Sequence, residues 1–173
     1  MLDAGCGNGY IARVLSSRGF NVTAFDLSPD GIALAQEKEP NIRWYVRSVY
    51  DDLIDIGTSG FDVIISSEVI EHLYSPQKFL ANMYSLLRAN GTLILTTPYH
   101  GYLKNLALTL FNVWDKHHTV DWEGGHIKFF SEKTISKMLV ETGFSHIKFR
   151  NAGRAPYLWK SMVLSARKVG RIL

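Results

Sequence analysis

The chain has 173 residues, 46% of them hydrophobic and 20% charged, with a net charge of +3. That is enough to bury one core, with no apolar run long enough to span a membrane and no repeat or linker to split residues 1–173 into more than one domain. The single cysteine, Cys6, excludes an internal disulfide and, with no leader-like pattern, gives a cytoplasmic expectation. Charge is uneven: seven basic and no acidic residues follow Glu141, leaving the first 141 residues at −4. Such a tail attracts phosphates, headgroups or nucleic acid, or is a solvated hairpin edge; the second reading makes a nucleic-acid partner the weaker expectation.

The chain opens on a glycine-rich loop, Asp3-Ala4-Gly5-Cys6-Gly7-Asn8-Gly9, after Met1-Leu2 and before a helical apolar pattern at Ile11, Val14 and Leu15. A strand reads at 21–25, then a helix from Ser28-Pro29 through Lys38, an N-cap followed by a first-turn proline. Strands follow at 42–46 and 61–66, short and rich in β-branched or aromatic residues. Ser75-Pro76 starts a second helix, predicted through Ala89 with Phe79, Leu80, Met83, Leu86 and Leu87 at helical spacing and a stop at Asn90-Gly91. A strand at 92–97 precedes a long segment, 99–125. A helix over 132–142, capped by Ser131 and ended by Gly143, leads into strands at 145–150 and 161–167, too close for a helical crossover and therefore an antiparallel hairpin. Alternating strands and helices predict an α/β fold with a doubly wound, mostly parallel sheet, whose ligand sits at the C-terminal strand ends beside the glycine loop.

Glycines at 5, 7 and 9 let backbone approach a ligand closely, and a helix starting there points free N–H groups at an anion such as a carboxylate. The spacing is neither the dinucleotide fingerprint nor a P-loop, which makes a nucleotide-using oxidoreductase a distant alternative. With its leading Asp3 the loop resembles motif I of the S-adenosylmethionine (AdoMet) methyltransferases. Asp26, ending the second strand about 20 residues beyond the loop, is placed to accept both ribose hydroxyls. After the third strand that family usually presents an acidic residue to the adenine amine; here Ser48 stands there, with Val49 and neighbouring backbone as further contacts. Asp3, Gly5, Gly7, Gly9, Asp26, Ser48, Val49 and Ser66 are the candidate cofactor contacts.

Beyond the fourth strand, Glu68-Val69-Ile70-Glu71-His72-Leu73 puts two carboxylates and an imidazole within five residues. If this turn is helical, Glu68 shares a face with Glu71 or His72. Such oxygen and nitrogen donors suit Mg²⁺, Mn²⁺ or Zn²⁺. The Glu-x-x-Glu-His stretch resembles those of the ubiquinone-biosynthesis O-methyltransferases and the small-RNA 3′-terminal 2′-O-methyltransferases, both associated with a divalent metal there. A further histidine completes the site in the RNA enzymes; His126, in Gly124-Gly125-His126-Ile127-Lys128-Phe129-Phe130, is the best match here, ahead of His100, His117 and His118. Glu68, Glu71, His72 and His126 are therefore the candidate metal ligands, and Glu71, His72 and His126 the candidate catalytic groups; the alternative is a histidine loop network with no metal.

The resemblance to the ubiquinone-biosynthesis group runs through nearly the whole chain. It implies a seven-stranded class I methyltransferase sheet ending in an antiparallel hairpin, and AdoMet-dependent O-methylation of a small hydroxylated acceptor, whether a quinone precursor, a sugar or a similar metabolite. The alternative is a non-catalytic or partner-activating protein on the same fold. Segment 99–125 is a candidate lid or substrate wall. Its Leu103, Leu106, Ala107, Leu110, Phe111 and Trp114 form one helical stripe that packs on its own domain, faces lipid as a peripheral membrane contact through 103–114, or meets a second copy in a homodimer. Trp114, Trp122 and Tyr99 could stack on an acceptor ring. Only two residues precede the loop, shorter than a typical strand, so an N-terminal truncation with an open AdoMet pocket is expected.

Overall fold

A computed structural model describes residues 1–115, 123–153, 156–157 and 159–170. Seven strands form one sheet: β1 (Leu2–Ala4), β2 (Thr23–Asp26), β3 (Arg43–Val46), β4 (Phe61–Ser67), β5 (Leu87–Pro98), β6 (Phe144–Ala152) and β7 (Ser161–Lys168), in the order β3-β2-β1-β4-β5-β7-β6. The first five are parallel, while β7 runs antiparallel to both β5 and β6. The order reverses between β1 and β4, and a doubly wound sheet binds ligands at that point. The predicted fold class is the one observed.

Helices α1 (Tyr10–Ser16), α2 (Pro29–Lys38), α3 (Pro76–Leu86), α4 (Tyr102–Leu110) and α5 (Glu132–Thr142) connect the strands. Ser28 caps α2 through a Gly31 N–H bond of 3.1 Å, and Ser131 and Thr134 form a reciprocal cap on α5, which Gly143 closes at φ 104°. The main core lies on one sheet face, where Leu2, Ile64, Leu93, Leu95 and Leu164 meet Phe79, Leu80 and Met83 of α3 and Ile135 and Leu139 of α5. A smaller cluster of Ala12, Val22, Ala24 and Ile42 packs with Trp44 on the other face.

Two expectations are corrected. Helix α3 stops at Leu86 rather than Ala89 because Leu87 is already extended (φ −76°, ψ 141°) and pairs with Phe61. The next β4–β5 pair is Val63 with Thr92, so Asn90 (φ 64°) and Gly91 build an irregularity inside β5 instead of closing a helix. Among the described residues, most of the stripe on 103–114 also stays outside the core. Leu103, Leu106, Leu110, Phe111 and Trp114 are exposed, whereas Lys104 is buried at 5% exposure and donates its Nζ to the Tyr99 carbonyl at 2.7 Å. The helix is anchored by its lysine and turns its apolar side outward. Trp122, His117 and His118 lie outside the described residues.

Candidate active site

A cavity of about 850 Å³ opens where the strand order reverses, lined by the glycine loop, the ends of β2 and β4, and the turn carrying His72. Gly5, Gly7 and Gly9 all have positive φ (77°, 52° and 76°) but do different work. Gly7 has nothing within 4 Å of where a Cβ would stand, so its backbone faces open space. A Cβ on Gly9 would lie 2.4 Å from the Trp44 ring, so this glycine lets α1 pack against β3 and does not line the cavity. Ser66 is likewise off the wall: it is buried at 1% exposure and its hydroxyl ties to the Ala4 carbonyl at 2.7 Å, while Ser67, on the opposite face, lines the cavity.

Asp26 ties the loop to the strand end. Its Oδ2 accepts from the Gly7 N–H at 2.7 Å and its Oδ1 from the Ser28 N–H at 2.9 Å. A carboxylate offers about four lone-pair sites, so capacity remains for two hydroxyls of a ligand. Asp3 lines the cavity floor at 1% exposure, and burial pushes its carboxyl up to about 7; its Oδ2 has no hydrogen-bond partner among the described residues. Ser48 and Val49 line the far wall. The Ser48 N–H donates to Asp51 Oδ2 at 2.8 Å and the Val49 carbonyl accepts from Asn82 Nδ2 at 2.8 Å, so this wall is held rigid by its own bonds.

At the cavity mouth Glu68 sits in the left-handed region (φ 54°), followed by a 3₁₀ turn, Ile70–His72. Because the stretch is not α-helical, helical spacing does not bring the two glutamates together. Glu68 Oε1 accepts from the Thr96 hydroxyl at 2.8 Å and faces the cavity. Glu71 turns inward to 1% exposure, its Oε2 accepting from the Thr97 hydroxyl at 3.0 Å and its Oε1 unpartnered among the described residues. Burial, reinforced by the Glu68 charge, pushes this carboxyl up to about 7.

The Glu71 backbone recruits the distant histidine. Its carbonyl accepts the N–H groups of Ile127 (3.0 Å) and Lys128 (2.9 Å), laying His126 beside His72 with ring centroids 4.9 Å apart. One ligating atom from each of Glu71, His72 and His126 lies within 4.8 Å of the others. Glu68 is not in this group. His72 Nδ1 lies 2.8 Å from the Gly124 carbonyl and 3.2 Å from that of Gly125. A carbonyl only accepts, so Nδ1 carries a hydrogen, and in the neutral form of the ring the free lone pair is on Nε2. Burial is the main cause that lowers the His126 pKa from the ordinary imidazole value, with Lys104 acting in the same direction and Glu68 opposing it, which favours the neutral ring. The arrangement brings together two imidazole rings and one buried carboxyl oxygen, groups that in their unprotonated forms accept protons or ligate a divalent cation. Thr97, which orients Glu71, was not singled out from sequence, since a threonine ending a strand carries no distinctive pattern.

The family model described as a methyltransferase domain matches residues 1–148. A ubiquinone biosynthesis O-methyltransferase of Rickettsia canadensis is 33% identical over 150 residues, covering 83% of this chain and 61% of the relative; the chain thus spans about three-fifths of that protein's length. Among solved structures, a magnesium protoporphyrin IX methyltransferase of Synechocystis, determined with bound SAH, superposes with a TM-score of 0.71 at 22% identity, covering 96% of this chain and 73% of that one. A SAM-dependent methyltransferase of Archaeoglobus fulgidus gives a TM-score of 0.72 at 15% identity, covering 96% and 85%. With a sheet order, a strand-end cavity and a family match over 148 of its residues all in agreement, the chain belongs to the methyltransferase domain family.

Proposed function

We propose that the protein is an AdoMet-dependent O-methyltransferase acting on a small hydroxylated acceptor. The observation that carries this reading is the convergence of Glu71 and His126 on His72, which lines the cavity. AdoMet would lie along the cavity with its carboxylate toward the glycine loop, its ribose hydroxyls on Asp26 and its adenine near Ser48 and Val49. The acceptor oxygen attacks the methyl carbon in line with the S–C bond. That bond breaks, its electron pair goes to sulfur to give S-adenosylhomocysteine, and the hydroxyl proton passes to His72 Nε2 or to His126. Positioning supplies much of the rate, since the cosubstrate brings its own electrophile.

The same three residues fit a divalent cation, because the buried Oε1 of Glu71 lacks a partner and His72 presents its Nε2 lone pair. Glu71, His72 and His126 would hold Mg²⁺, Mn²⁺ or Zn²⁺, which would lower the acceptor hydroxyl's pKa. Two features favour a quinone precursor over a sugar as the first acceptor to test. The relatives are named for ubiquinone biosynthesis, and α4 exposes an apolar side that a lipid-borne substrate's membrane would meet. A peripheral membrane contact through 103–114 follows from the same surface, with a homodimer as its competitor and liposome co-sedimentation as the discriminating measurement.

The test is transfer of labelled methyl from AdoMet to catechol-type acceptors by the wild type and by His72→Gln and His126→Gln, with and without chelator. General-base loss costs roughly 10²–10⁴-fold. A double variant that methylates at the wild-type rate would sink the assignment. A single-variant loss that chelator does not deepen supports the metal-free version.

A further inference from the structure

Glu68 is held in a backbone conformation that its place outside the Glu71, His72 and His126 group does not explain. Its φ of 54° lies in the left-handed region, which a residue with a Cβ enters at a cost and keeps only where its surroundings hold it. Thr96 does the holding. The Glu68 N–H reaches the carbonyl and the hydroxyl oxygen of Thr96, each at 3.1 Å, and the Thr96 hydroxyl donates back to Glu68 Oε1 at 2.8 Å. With that hydrogen given to Glu68, the Ser67 hydroxyl must be the donor in its 2.8 Å bond to Thr96 Oγ1. The Glu68 carboxylate is thus fixed through one oxygen, while its Oε2 makes no hydrogen bond among the described residues. Three carboxylates among the described residues line the cavity: Asp3, Asp26 and Glu68. Asp26 is tied to the Gly7 and Ser28 N–H groups at the end of β2, and Asp3 lies on the floor. Glu68 follows the end of β4, on the wall that carries His72.

We propose that Glu68 reads the charge of the cosubstrate, facing the sulfonium of AdoMet and holding it in preference to the neutral thioether of S-adenosylhomocysteine, a role that rests on the AdoMet reading above. A proton acceptor at His72 puts the transferable methyl on that wall. The sulfur lies one bond behind the methyl, so the positive charge comes to the Glu68 side of the cavity. Methyl transfer discharges the sulfur as the S–C electron pair returns to it, and the carboxylate then loses its attraction. A group that stabilises the charged ground state contributes to affinity and to product release, not to the chemical step, in which the sulfonium charge is already falling. An oriented carboxylate facing a unit charge near a protein surface supports roughly a tenfold preference, and salt weakens it.

Calorimetry on the chain without acceptor, in the presence of chelator, compares AdoMet, S-adenosylhomocysteine and sinefungin, which carries an amine in place of the sulfonium methyl. The wild type is expected to bind both charged ligands at least about tenfold tighter than S-adenosylhomocysteine, with the ratio shrinking as salt rises. Glu68→Gln keeps an acceptor for the Thr96 hydroxyl and removes the charge. Its ratio should fall to about one to two, while its affinity for S-adenosylhomocysteine stays within about twofold of wild type. Glu68→Gly removes the carboxylate and the cost of the positive φ together, so it carries the same expectation if the glutamine variant folds poorly. A ratio near one in the wild type, or a wild-type ratio kept in the variants, overturns the proposal. Equal losses of AdoMet and S-adenosylhomocysteine affinity in Glu68→Gln also overturn it, because the carboxylate then holds a part that both ligands share. Mn²⁺ binding by the wild type, measured without chelator, that disappears in Glu68→Gln does the same by making Glu68 a metal ligand. A wild type that binds none of the three ligands refutes the AdoMet reading and the role of Glu68 with it, whereas one that binds all three alike refutes the role alone.

Discussion

Glu71 sets a measurable dependence of stability on pH. Its carboxyl is pushed from 4.5 up to about 7 by burial, so between those values the folded chain holds a proton that the unfolded chain has released. Stability therefore falls as pH rises from about 4.5 through 7 and stays low above it. A shift of this size corresponds to roughly 3 kcal/mol lost at pH 8 relative to pH 4.5. Glu71→Gln keeps an acceptor for the Thr97 hydroxyl but places an amide donor where Oε1 has no partner, a cost of about 1–3 kcal/mol. The variant should be equal to or less stable than wild type at pH 5 and gain on it steadily up to pH 8, a relative swing of roughly 3 kcal/mol. Urea unfolding at fixed ionic strength, in the presence of chelator, across pH 5 to 8 measures it. A stability difference that stays constant over that range would refute the buried, protonated carboxyl.

Asp26→Ala frees the Gly7 and Ser28 N–H groups as well as removing the ribose acceptor, so AdoMet affinity by calorimetry should fall by about 1–3 kcal/mol per lost bond; undiminished affinity sinks the ribose assignment. Gly9→Ala meets Trp44 and a positive φ together and should cost about 2 kcal/mol or more in thermal stability, leaving binding by the folded fraction intact. Gly7→Ala shares the positive-φ cost but meets no neighbouring atom, so it should destabilise the fold less than Gly9→Ala while weakening AdoMet more; the reverse ranking would contradict the division of labour in the loop. Partial burial and the Asp3 and Asp26 charges push the Cys6 thiol up, so iodoacetamide should label it far more slowly than a free thiol at pH 8, and rapid labelling would disprove the raised thiol.

Most of the architecture was legible because local signals agreed: Ser28 and Ser131 caps, Gly143 at a helix end and alternating apolar strands all matched the final elements. Where two local readings competed, tertiary pairing decided. Asn90-Gly91 is as good a helix terminator as a strand irregularity, and the pairing of Leu87 with Phe61 selected the second. The Glu-x-x-Glu-His stretch would put Glu68 on the face of Glu71 or His72 only if it were helical, and Glu68 enters the left-handed region before a 3₁₀ turn, so it stays out of the Glu71, His72 and His126 group. The stripe on α4 was visible, whereas its outward direction rests on Lys104 reaching the Tyr99 carbonyl, a contact that no periodicity encodes. Gly9 and Ser66 carry the residue types of a binding site and serve packing instead.

The two buried carboxyls of the site give the metal reading its sharpest test. Asp3 and Glu71 both titrate near 7, each with one oxygen unpartnered among the described residues, and both weaken the folded state above neutrality. They do so from different places, Asp3 on the cavity floor beneath the glycine loop and Glu71 beside the two histidines. A cation held by Glu71, His72 and His126 favours the ionised Glu71, drawing its folded pKa back down and restoring stability above pH 7. It leaves Asp3 untouched. Saturating Mn²⁺ or Mg²⁺ should therefore raise wild-type stability at pH 8 while doing little for Glu71→Gln. The extra stability of Asp3→Asn at high pH should persist with or without the ion. Equal stabilisation of wild type and Glu71→Gln would place the ion elsewhere, and none in either would leave His72 and His126 as the proton acceptors of a metal-free site.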